Sequence, residues 1–154
     1  MSDEQQPAFS IDKIYVKDLS LEVPNAPHVF LLPEQPQIEV QLGHAAQQIQ
    51  NDLFEVALKV TVTAKSGEKT LYLAEVEQAA LFQIRNIPEA EMGPVLGIIC
   101  PNIVFPYARE TISDLINRAG FPPVLLAPIN FEGIYQQRMA ESEGQGGPKI
   151  EIAH

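Results

Sequence analysis

Residues 53–65 alternate without a break. Phe54, Val56, Leu58, Val60, Val62 and Ala64 share one parity, and Glu55, Lys59, Thr61, Thr63 and Lys65 share the other with Ala57. Alternation of this length predicts an antiparallel strand with one buried face and one wet face. Ser66-Gly67-Glu68 then reads as a short turn, so the next strand folds back as a hairpin. That strand is expected over 69–82, with Tyr72, Ala74, Val76 and Phe82 on one parity and Leu73, Glu75 and Glu77 on the other.

Two further strands precede this hairpin. Residues 10–22 are rich in Tyr, Val and Ile, which favours a strand, but their parity is mixed. Pro24 and Pro27 end it, and Pro33 and Pro36 punctuate a long connection that carries Val29-Phe30-Leu31-Leu32. Residues 37–42 alternate again, with Ile38, Val40 and Leu42 on one face.

The pattern changes after Pro88. Residues 89–100 contain Gly and Pro and read as irregular or weakly helical. Pro101 and Pro106 flank the start of a helix expected through about Asn117, because a proline fits a first helical turn. Ile112, Leu115 and Ile116 form its apolar stripe, and Gly120 suits its end. Pro122, Pro123 and Pro128 make a stiff connection, and Asn130 can cap a second helix over roughly 131–141. Strands first and helices later imply an α+β fold, with a four-stranded antiparallel sheet and two helices on one face.

The 154 residues suit one domain, and 45% of them are hydrophobic, which argues against global disorder. No run of about 18 apolar residues is present to span a membrane. The acidic start, Met1 to Pro7, lacks the basic and apolar runs of a secretory signal, so the expected location is the cytoplasm. The formal net charge of −10 repels a phosphate backbone and disfavours nucleic-acid binding, while it attracts basic partners.

Chemistry-bearing motifs are sparse. There is no Gly-rich phosphate loop and no nucleophile elbow. Cys100 lies in the apolar run Gly97-Ile98-Ile99-Cys100 and reads as a small core residue rather than a nucleophile. His28, His44 and His154 stand at no metal-ligand spacing. Glu75 and Glu77 share a strand face and offer an acid/base pair, but such neighbours more often form a solvated surface. The expectation is a protein without enzymatic activity, cofactor or metal.

Three segments carry a resemblance. Ile14 to Phe30 (IYVKDLSLEVPNAPHVF), Cys100 to Glu110 (CPNIVFPYARE) and Leu126 to Phe131 (LAPINF) resemble signatures of the SecB family of protein-export chaperones, in the family's order. The similarity covers roughly residues 10–140 and includes Glu55 to Thr63. It implies a chaperone domain over 10–141, with loose tails over 1–9 and 142–154. It also implies a homotetramer built as a dimer of dimers, in which Ala74, Val76 and Gln78 support the assembly.

The resemblance implies an ATP-independent chaperone. Such a protein binds unfolded precursors, keeps them translocation-competent and delivers them to the SecA motor. Asp18, Glu22, Leu73 and Glu75 match the acidic patch that binds the basic, zinc-containing tail of SecA, and the zinc belongs to that partner. Leu31, Leu32, Ile38, Val40, Leu42, Tyr135 and Met139 match the client groove. Glu34 stands where some members carry a tryptophan. The alternative is a SecB-like chaperone of a toxin–antitoxin system, and retention of the patch positions argues against it.

Overall fold

In the computed structural model, which describes residues 6–32, 35–145 and 151–153, four long strands form one antiparallel sheet. They are β1 (Ala8–Glu22), β2 (Gln37–Gln50), β3 (Leu53–Ser66) and β4 (Lys69–Arg85). A short strand, β5 (Glu151–Ala153), adds a fifth, and the order across the sheet is β1-β4-β3-β2-β5.

The β3–β4 hairpin follows the alternation. Its turn places Gly67 at φ +61°, the left-handed region that glycine enters at no steric cost. Val60 then pairs with Val76 and Val62 with Ala74, all at most 1% exposed. Full burial of each valine contributes about 1.5–3 kcal/mol.

The mixed parity of β1 resolves through two bulges, which leave Asp12 and Lys17 out of the pairing with β4. Each bulge resets the alternation by one residue. As a result Phe9, Ile11, Ile14, Val16, Leu19 and Leu21 all stand opposite the buried parity of β4, while Asp18, Ser20 and Glu22 stand opposite Glu77, Glu75 and Leu73.

The helical half differs from expectation. Helix begins at Glu89, in α1 (Glu89–Pro94), continues through a wide π turn (Val95–Ile99), and runs on as α2 (Cys100–Arg118). Glu89 and Glu91 lie in the first turn, where the helix dipole favours negative charge. Pro101 and Pro106 are therefore inside the helical run rather than at its start. The π turn ends at Ile99, two residues before Pro101, whose missing N–H cannot donate to an earlier carbonyl. Cys100, Val104, Ala108, Ile112 and Ile116 recur every four residues, are fully buried, and lie on β3 and β4.

Helix α3 (Phe131–Gln145) is capped as expected: Asn130 Oδ1 accepts a hydrogen bond from Gly133 N at 3.0 Å. It docks against the π turn. Gly93 and Gly97 leave a notch there for Tyr135, and a Cβ on Gly97 would lie 2.6 Å from its ring.

The tails expected over 1–9 and 142–154 fall partly outside the described residues. Within the described part, β1 begins at Ala8 and α3 extends to Gln145. β5 lies inside the expected C-terminal tail.

Candidate functional site

The helices leave one face of the sheet uncovered. On it the register aligns Asp18 with Glu77, Ser20 with Glu75 and Glu22 with Leu73, so Asp18, Glu22, Leu73 and Glu75 form one contiguous patch. Asp18 and Glu22 are exposed, as is Leu73 at 37%. Glu75 accepts a hydrogen bond from Thr61 Oγ1 at 2.8 Å and pairs with Lys59 at 3.6 Å. Glu39, opposite Thr63 on β2, extends the acidic surface across the sheet.

Beside this patch lies a polar cluster that sequence reasoning missed. Ala79 and Ala57 sit in register next to Tyr15, and their small side chains leave room above β4. Tyr15 and Lys17 of β1 reach across that gap to Glu55 of β3. Glu55 accepts hydrogen bonds from Tyr15 Oη, from Lys17 Nζ at 2.8 Å and from Gln47 Nε2 at 3.0 Å. Burial alone would raise the Glu55 carboxyl, but the bonds from Lys17, Tyr15 and Gln47 outweigh it and hold the group below its ordinary range. Burial, together with the bond to Glu55, pushes Tyr15 up to about 12. Glu55 belongs to the wet parity of β3 yet is only 8% exposed.

The other face carries an apolar cleft of about 150 Å³. Val40 and Leu42 of β2 form one wall, Phe105 of α2 the floor, and Val124, Leu126 and Ile129 of the connection between the helices the other wall. Leu125 stands at its mouth, 79% exposed. Phe131 is buried beside Phe105 and meets His44 edge-on, and burial lowers the His44 pKa.

The expected groove residues therefore separate. Val40 and Leu42 line the cleft. Leu31 (80% exposed) and Leu32 (38%) project from the crossover between β1 and β2, and Ile38 (38%) from the start of β2. Tyr135 fills the glycine notch, and Met139 lies exposed on α3. Glu34 lies outside the described residues. Aromatic surface at the crossover comes instead from Phe30, which packs on Phe121 at 5.1 Å, and Phe121 in turn on buried Tyr72 at 4.8 Å. The connection over 121–130 has no periodicity to mark it as a wall, so its residues were not legible as part of the site.

Ala74, Val76 and Gln78 lie on the covered face, within the protomer's own core. Gln78 ties three elements together. Its Nε2 donates to the Tyr15 carbonyl at 3.2 Å, and its Oε1 accepts from Thr111 Oγ1 of α2 at 3.0 Å. Cys100 is wholly buried, and burial pushes its thiol up to about 12, so no thiolate is available there. Among the described residues no group of His, Cys, Asp and Glu is placed to hold a metal ion, and no helix is long and apolar enough to cross a membrane.

The described residues thus form an open antiparallel sheet with helices on one side, a charged free face and an apolar cleft. The family model of preprotein translocase subunit SecB matches residues 2–142, and the chain belongs to the SecB family. A protein-export protein SecB from Chromobacterium violaceum is 64% identical over 148 residues, covering 95% of this chain and 99% of the relative. One from Methylobacillus flagellatus is 54% identical over 146 residues, covering 95% and 93%. Among solved structures, the Mycobacterium tuberculosis Rv1957 SecB-like chaperone, in complex with a ChAD peptide from the Rv1956 HigA1 antitoxin, superposes with a TM-score of 0.65. Its 21% identity, over 79% of this chain and 90% of that one, shows a shared fold.

The Glu55 cluster makes a pH prediction. A carboxyl held below its unfolded value stabilises the fold at pH above that value and loses the effect as pH falls through the folded value. Glu55→Gln should cost about 1–3 kcal/mol at pH 7, and the difference from wild type should vanish toward acid pH. Thermal melts from pH 7 down to pH 3 measure it, and a difference that stays constant with pH would contradict the assignment.

Proposed function

We propose that this protein is an ATP-independent export chaperone, which holds unfolded precursor chains in the apolar cleft and passes them to SecA through the acidic face. The observation that carries the reading is the placement of two surfaces on opposite sides of one sheet. The cleft around Val40, Leu42 and Leu125 lies on the helix side, and Asp18, Glu22, Leu73 and Glu75 lie on the free side. Occupying one leaves the other open.

Each surface suits its proposed partner. Apolar client side chains gain roughly 25 cal/mol per Å² on burial, without any demand on sequence, and folded proteins hide such groups. An acidic patch attracts the basic SecA tail, speeds encounter and sets orientation, and it weakens as salt rises. Leu31, Leu32, Ile38, Tyr135 and Met139 extend the apolar surface along the crossover and α3. The alternative is a SecB-like chaperone of a toxin–antitoxin system, and the four patch positions favour the SecA-linked reading.

Assembly as a dimer of dimers is part of the proposal. β1 is a sheet edge, and its helix-side residues Phe9, Ile11, Val16 and Leu19 are 39–49% exposed. Ile99 and Tyr107 on the helical run are 47% exposed. A second copy would cover them, with Ala74, Val76 and Gln78 supporting α2 from beneath.

Four measurements test this reading. Stoichiometric protein should slow refolding and aggregation of a slow-folding precursor, and Leu125→Glu should weaken client binding about tenfold while the fold persists. No delay by the wild type refutes the chaperone role. SecA should be captured by wild type and lost with Glu75→Lys; capture that survives the charge reversal removes the patch from the contact. Sedimentation should return a four-chain mass, and a monomer would end the assembly proposal.

A further inference from the structure

We propose that the C-terminal strand β5 is an internal competitor for the client, occupying the backbone edge along which an extended client segment pairs. The inference rests on the chaperone reading above and concerns the regulation of that cleft.

β2 would be the free edge of the sheet if β5 were absent. An edge strand presents unpaired N–H and C=O groups that accept any extended chain, whatever its sequence. β5 covers only a short piece of that edge, pairing Gln41 with Ala153, Leu42 with Ile152 and Gly43 with Glu151. The position it covers is the one that matters for the cleft. Leu42 lines the cleft and Val40 stands two residues away on the same face. A strand on this edge therefore runs along the wall of the cleft, and a client cannot pair there while β5 does.

The geometry also makes β5 easy to displace. It pairs through three residues, while β2 is fourteen residues long and offers pairing sites on either side of them. A longer extended segment forms more ladder bonds and places alternate side chains toward the cleft. In the sequence, Lys149-Ile150-Glu151-Ile152-Ala153 alternates as an apolar client strand would. A tethered strand that occupies the edge part of the time weakens apparent client affinity by the fraction of open edge it removes. Poorly matched or short segments are then rejected, and long unfolded chains are retained.

The test compares three proteins for binding of a fluorescein-labelled peptide that alternates valine and lysine, read by anisotropy. They are the full chain, the chain ended after Gln145, and the full chain with Ile152→Pro. Melting curves of the three control for folding. Both altered proteins should bind the peptide roughly threefold to tenfold tighter than the full chain. A synthetic peptide of residues 146–154 should compete with the reporter on the shortened chain. Equal affinity of all three proteins, weaker binding by the shortened chain, or no competition overturns the inference and leaves the chaperone reading standing. No reporter binding by any of the three overturns both.

Discussion

Val104, Ala108, Ile112 and Ile116 of α2 lie over the valine and alanine face of β3 and β4, and that dry contact decides which side of the sheet is left to water. Every other feature follows from it. The covered face is sealed in the middle and open toward β2, where the connection between α2 and α3 leaves the apolar cleft. The uncovered face must then be polar, and it collects the carboxylates of β1, β2 and β4. Gln78 reinforces the contact by bonding both α2 and the backbone of β1.

The sequence made the β3–β4 hairpin legible because β3 and β4 alternate in step from Tyr72 to Phe82, and the one break in their register, at Leu71, lies beside the turn. β1 was legible as a strand, but its two faces were not, for a local reason: Asp12 and Lys17 each interrupt the count, so a single parity cannot describe it. The helical start was misplaced because Pro101 and Pro106 favour a first turn, whereas tertiary packing of the four-residue stripe holds them inside a longer run. β5 was not picked out because its alternation spans only a few residues at the end of the chain, too short to distinguish a strand from a tail.

The site was legible in part. The acidic patch needed the parity of β4, which alternation supplies, together with the family resemblance for β1. The cleft needed contacts between β2, α2 and the connection over 121–130, which are distant in sequence and share no period. Glu55 shows how a correct strand can still mislead. Its parity is the wet one, but Ala57 and Ala79 clear a space that Tyr15 and Lys17 fill, so a residue expected at the surface becomes a buried carboxylate with three donors.

The bulge at Lys17 has a consequence for how the acidic face is specified. Side chains on a strand change sides with every residue, so one uncounted position exchanges the two faces for all that follows. Upstream of the bulge, Ile14 and Val16 point to the helix side; downstream, Leu19 and Leu21 do, and Asp18 and Glu22 turn outward. The orientation of the patch is thus set by counting rather than by chemistry at each position. Lys17 works like a frame marker in a text: it carries little of the message, but the reading of Asp18-Leu19-Ser20-Leu21-Glu22 depends on its being there.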